Sequence, residues 1–159
     1  MKKYYTFITC LCITAISFIV GKENVNPPDV RHLKELKKIS GVHYFQNKPF
    51  TGIAIGSSKN GHAVSMVYAN GKLNGAVKFW TRNGQLSSNT GMKGDLLHGI
   101  TTSYSEDGAI IGFERFKNGE QDGYSYILMS DDKIYKQLYK DGELKGESII
   151  PSFPKFKQN

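Results

Sequence analysis

Cysteine is nearly missing from this 159-residue chain: the two present, Cys10 and Cys12, both lie within its first twelve residues. Past that point no disulfide framework, thiolate nucleophile or cysteine metal site can be built. Tryptophan occurs once, as Trp80. Asp and Glu are absent from Leu36 to Gly94, which removes paired-carboxylate catalysis from that stretch. No Gly-x-Ser-x-Gly elbow or phosphate-binding loop occurs. His32, His43, His62 and His98 lack ligand spacing, and Asp131-Asp132 reads as a turn rather than a metal site. The expected inventory is therefore no catalytic residue, no metal and no cofactor.

The longest uncharged apolar run, Phe7 to Val20, has 14 residues, short of the roughly 20 that a transmembrane helix needs. After Lys2 and Lys3 it has the size of the apolar region of a secretory signal peptide, with a small-x-small cleavage site at Ala15-Ile16-Ser17 and a poorer one at Ile19-Val20-Gly21. Residues 1–21 are read as a leader, or as an N-terminal anchor if uncleaved. A lipoprotein reading is disfavoured because the apolar run mostly follows Cys10. The expected location is outside the cytoplasm: periplasm, outer envelope or extracellular space. Residues 22–32, with Pro27-Pro28, read as a linker, and residues 151–159, with Pro151 and Pro154, as a tail.

Net charge is +7 but uneven. Leu36 to Gly94 holds eight Lys or Arg and no acid, whereas Asp95 to Asn159 holds eight basic and eleven acidic residues, 8 − 11 = −3. A summed field of this kind steers anionic partners toward the N-terminal half. Lys72, Lys78, Arg82 and Lys93 are the candidate interaction residues, set against the plainer reading of solvated strand lysines. Lys78 shares strand parity with Trp80, so the sequence does not establish one basic face.

Glycine is abundant, 17 residues, and periodic. Gly52, Gly75, Gly99, Gly123 and Gly146 are separated by 23, 24, 24 and 23 residues. A second column is Gly61, Gly84, Gly108 and Asp132; a third is Gly71, Gly94, Gly119 and Gly142. A period in the twenties means stacked supersecondary units, and such stacks bind other molecules more often than they catalyse. All these glycines are read as turn positions. Aromatic and β-branched runs lead into Asn83-Gly84 and its equivalents, where Asn-Gly supplies the positive φ of a tight hairpin. The fold expected over residues 33–150 is all-β, an elongated antiparallel hairpin meander of about ten strands.

Three ladders should align between repeats: Ser57, Trp80, Tyr104 and Leu128; Ala63, Leu86, Ile110 and Ile134; and Phe45, Tyr68, Phe116 and Tyr139. Val30, Leu33, Leu36 and Ile39 recur every three residues, as in a short helix. Ser40-Gly41 before Val42-His43-Tyr44-Phe45 favours a hairpin there instead.

Tyr68-Ala-Asn-Gly-Lys-Leu-Asn-Gly75 through Trp80-Thr-Arg-Asn-Gly84 resembles the MORN repeat in its bacterial variant form. Phe116-Lys-Asn-Gly119 and Tyr139-Lys-Asp-Gly142 repeat its first half, and Pro49-Phe-Thr-Gly52 is similar to the start of YwqK-type proteins. Asp131-Asp132 and Gly91-Met92 depart from the pattern. The resemblance spans about Leu36 to Glu147 and implies hairpin stacks; many bacterial members carry an antitoxin label. The expected function is a non-catalytic exported repeat protein acting as a protein-interaction module of the cell envelope. Alternatives are binding of anionic lipid or polymer through the basic half, and toxin neutralisation. A protein partner is expected, an anionic membrane surface is the alternative, and export argues against nucleic acid.

Overall fold

The computed structural model describes residues 27–58, 61–129 and 133–151. The leader, the tail after Pro151 and the Asp131-Asp132 pair lie outside them. The chain is all-β. A three-residue strand β1 (Val30–His32) leads into one 3-10 turn (Leu33–Glu35). A small antiparallel sheet follows: β2 (Lys37–Ile39), β3 (Val42–Phe45) and β4 (Lys48–Pro49). The main sheet then runs as a meander through β5 (Gly52–Ser57), β6 (Ala63–Ala69), β7 (Lys72–Trp80), β8 (Leu86–Lys93) and β9 (Leu96–Tyr104). It continues through β10 (Ile110–Lys117), β12 (Gly123–Leu128), β13 (Ile134–Lys140) and β14 (Glu143–Ile150), with the two-residue β11 (Glu120–Gln121) beside β10. The sheet is open, with β1 and β14 as its edges. Val30–His32, inside the expected linker, pairs in parallel with Ile53–Ile55. The Ser40-Gly41 hairpin forms, and the competing helical pattern is confined to the single 3-10 turn.

The two long margins of the sheet use different turns. On one, two-residue loops put both residues in the left-handed region: Asn70-Gly71, Gly94-Asp95, Asn118-Gly119 and Asp141-Gly142. These are the turns whose twist matches that of paired strands. On the other margin the loops have three residues. Thr81 N–H donates to Gln85 C=O, and of Arg82, Asn83 and Gly84 only Gly84 is left-handed. The expectation of a tight Asn-Gly turn at Asn83-Gly84 is thus corrected to a three-residue loop closed by one left-handed glycine. The third column also shifts by one, because Gly94 is the first residue of its turn and Asp95 the second.

The first glycine column is not in hairpin loops at all. Gly75, Gly99, Gly123 and Gly146 lie within β7, β9, β12 and β14, and Gly52 opens β5. Gly75 sits where three residues, Asn74 to Ala76, oppose Val67 alone, at φ 128°. A Cβ there would come within 2.9 Å of the Val67 side chain. A bulge of this type bends a strand and sharpens its twist. The turns themselves are stitched to the preceding unit. Gly71, Asp95, Gly119 and Gly142 N–H donate to the carbonyls of Phe50, Leu73, Leu97 and Gln121, at 2.7–3.0 Å.

Residues opposed across an antiparallel ladder share a face, and alternate residues take the other. The front face carries the row Ser65, Lys78, Asn89, Thr102, Phe113 and Tyr126; the back face carries Ala54, Met66, Val77, Thr90 and Thr101. The first two expected ladders do pair: Ala63 opposes Trp80, Trp80 opposes Leu86, Tyr104 opposes Ile110 and Leu128 opposes Ile134. They are not the main core, however, since Ile134 alone among them is buried and Ile110 is 48% exposed. A single-layer sheet buries a face only where something is laid over it. At the N-terminal end the 3-10 turn and small sheet do so, placing Leu33, Leu36 and Phe45 against Phe50, Ala54 and Tyr68. A second cluster joins Phe113, Tyr126 and Ile134 with Leu128 and Ile150.

Candidate functional site

Lys72, Lys78 and Lys93 share the front face. Ser65 and Ala69 alternate on one side of β6 and oppose Lys78 and Lys72. Asn89 and Lys93 alternate on one side of β8 and oppose Lys78 and Asn74. Arg82 is not with them on the strands; it occupies the three-residue loop at the far end of β7 from Lys72, its guanidinium near Gly61. The same register carries the face onward. Arg115 and Lys117 in β10 alternate with Phe113, which opposes Thr102, and Lys136 and Lys140 in β13 follow from Tyr126 opposite Lys136. From β5 to β13 every strand Lys or Arg is therefore on the front. Charge reading by sequence halves missed Arg115, Lys117, Lys136 and Lys140. The column Lys93, Lys117 and Lys140, one residue before successive two-residue turns, was the signal that could have found them.

The environment of these cations changes along the sheet. Lys140 donates to Asp122 at 2.8 Å and lies 3.6 Å from Asp141. The Lys140 hydrogen bond, with Lys140 and Lys117 charge, holds the Asp122 carboxyl below its usual range, and the same pair raises Lys140. Lys136 stands 4.3 Å over the Tyr124 ring. Lys72 and Lys93 are exposed, and no ion pair to either is found among the described residues. Between Lys72 and Lys93 on one side and Trp80 and Tyr104 on the other, the front face carries Ala76 opposite Gly91 and the row Lys78, Asn89 and Thr102, with Ile100, 43% exposed, opposite Arg115. Gly91 has no room for a side chain, since a Cβ would sit 2.2 Å from the His98 carbonyl.

Little else converges. Among the described residues no group of three or more His, Cys, Asp or Glu could hold a metal. An open cleft of about 410 Å³ at the N-terminal edge is lined by His32, Leu33, Lys34, Ile55, Gly56 and Ser57. Burial, then the Asp95 charge, raises the Tyr68 phenol, consistent with its place in the core. Among the described residues no helix is long and apolar enough to cross a membrane.

No protein-family model matches this chain. Nor does any curated protein match it significantly. What the chain offers a partner is a one-sided set of cations on an open sheet and an exposed edge strand.

Proposed function

We propose that this is a non-catalytic, exported binding protein built from MORN-like hairpin units, whose front face holds an anionic partner. The observation that supports this reading is the segregation of strand cations to one face, with Lys72 and Lys93 standing exposed. Each well-placed lysine near an anionic surface contributes on the order of 1 kcal/mol. The test is elution of the full chain from an anionic matrix on a salt gradient. Changing Lys72, Lys78 and Lys93 together to Glu should lower the eluting salt well below that of a Lys37, Lys38 and Lys48 to Glu control of equal net charge. Equal elution of the two would reject the front face as the anion surface.

A protein-partner reading is favoured by a different feature. β14 is an eight-residue edge strand, exposed at every position but Ile150, and such an edge can accept an added strand. Under this reading a proline at Glu147, whose backbone faces away from β13 in an alternating ladder, abolishes partner capture while the sheet stays folded. Undiminished capture would rule out the edge.

A further inference from the structure

We propose that the chain's own segment 152–159, which lies outside the described residues, folds back and covers the back face of β13 and β14. The register carries that face strand by strand from Ala54, which the cap covers at the other end, to Ile127, Tyr135 and Ile149. Two apolar pairs stand on it. Tyr135 opposes Ile149 near the point where the chain leaves β14, and Tyr139 opposes Leu144 near the Asp141-Gly142 turn. Ile149 is 56% and Leu144 46% exposed. Contiguous exposed apolar side chains of this kind mark a surface that another segment covers. Between the two pairs Gln137 opposes Glu147, and no Lys or Arg stands in these three rows. No ion pair to Glu147 is found among the described residues; its carboxylate accepts from the Tyr135 hydroxyl and keeps lone pairs for a cation.

Position, composition and charge pick out this segment. The chain leaves β14 at Ile150 and continues as Pro151-Ser-Phe-Pro-Lys-Phe-Lys-Gln-Asn159. Pro151 and Pro154 have no N–H to give a ladder, so the segment cannot run on as a paired strand. Phe153 is three residues past Ile150, at most about 11 Å of chain, which brings it to the Tyr135–Ile149 pair. Phe156 lies up to about 10 Å further on. The Tyr139–Leu144 pair is about 13 Å along β13 from the first, a gap closed by the reach of the side chains. Leu33 and Leu36, spaced by three as Phe153 and Phe156 are, already seat against the same face at the other end. Lys155 and Lys157 add positive charge, and no acid follows Glu147. The front of the same strands carries Lys136 and Lys140, which repel these lysines, whereas the back carries Glu147. Tethering holds the segment at an effective concentration on the order of millimolar, ahead of a free competitor. Lys72, Lys78 and Lys93 play no part in the contact, so anion binding can fail while the fold-back holds.

The test places the photoreactive p-benzoylphenylalanine at Phe153 of the full chain. Irradiation of dilute protein should join it, within one molecule, to Tyr135 or Ile149, as mapped by peptide mass spectrometry. K155E with K157E should lower the adduct yield about fivefold, and adding E147K should restore most of it. Matched circular dichroism shows that the sheet survives each change; if a reversal unfolds the chain, K155Q with K157Q carries the same comparison with a smaller loss. Adducts on front residues such as Lys136 or Leu138, adducts only between two copies, or no adduct overturn the fold-back. So does a yield that ignores the charge changes, because Glu147 is what selects this face.

Discussion

The N-terminal and C-terminal ends of the sheet are built from the same hairpin unit but are finished differently. At the N-terminal end the back face is covered: Leu33, Leu36 and Phe45 close over Ala54 and Tyr68, and Ala54 is wholly inaccessible. At the C-terminal end no element among the described residues lies over the corresponding face, and Ile127 is 44% and Ile149 56% exposed in one cross-strand row through Tyr135. The cations follow the reverse order. Lys72 and Lys93 have no ion pair among the described residues, whereas Lys140 and Lys145 are paired to Asp122 and Glu143. A stack of identical units therefore differs by what lies over and beside each unit. Buried apolar contact lies under the cap at one end and in the Phe113, Tyr126 and Ile134 cluster at the other, while the exposed Lys72 and Lys93 lie near the cap on the opposite face.

The largest expected effect breaks the cap. Phe50→Ala empties the centre of the covered cluster, where Phe50 is 3% exposed, and should cost about 3–5 kcal/mol in denaturant unfolding. Ile127→Ser, on the bare end, should stay within about 0.5 kcal/mol of the parent. Similar costs at both sites would dissolve the distinction between the ends. Next is the bulge. Gly75→Ala forces a Cβ onto Val67 at φ 128° and should cost about 1–3 kcal/mol, while Gly146→Ala, with nothing within 4 Å and no positive φ, should be nearly neutral. Equal effects would mean that the glycine column has one uniform role.

A smaller gain is expected at Ser125, which is 2% exposed and whose Oγ has no hydrogen-bond partner among the described residues. Ser125→Ala removes a buried polar group and should raise stability by about 1 kcal/mol in the same unfolding assay; a loss of that size would show that the hydroxyl is bonded. The smallest effect concerns the Asp122–Lys140 pair. The depressed Asp122 pKa means that its contribution is present above the ordinary carboxylate pKa of about 4 and fades as pH falls through the lowered folded value. The raised Lys140 pKa means that its contribution is full below the ordinary ammonium value and fades as pH rises through the raised one. Melting curves of Asp122→Asn and parent should thus converge at strongly acid pH and separate near neutrality. A constant gap across the range would contradict the pairing.

Much of the fold was legible because turn chemistry is local. Asn70-Gly71, Asn118-Gly119 and Asp141-Gly142 demand left-handed backbone wherever they occur, so the hairpin meander could be read directly. Gly94 was misaligned because Gly94-Asp95 places both residues left-handed, and a glycine-only column cannot tell which position the glycine takes. The bulges at Gly75 and its equivalents were illegible since the number of extra residues is fixed by the neighbouring strand. That count also sets side-chain parity across each unit, so Lys72, Lys78 and Lys93 could be named but not placed on one face. The cap was hidden for a different reason. Its contacts, Leu33 and Leu36 with Ala54 and Tyr68, join segments about 20–35 residues apart, and the threefold spacing of Leu33 to Ile39 suited a helix equally well.

The central claim is that sidedness, rather than the basic half of the chain, makes the anion surface. Its most direct measurement is the salt dependence of polyanion binding for two single neutralisations, Arg115→Gln and Lys38→Gln. Arg115 lies in the net acidic half but on the front face; Lys38 lies in the basic half but on the small sheet that caps the back. The account predicts that Arg115→Gln lowers the slope of log affinity against log salt by about one and that Lys38→Gln leaves it unchanged. A lowered slope for Lys38→Gln with none for Arg115→Gln would contradict it.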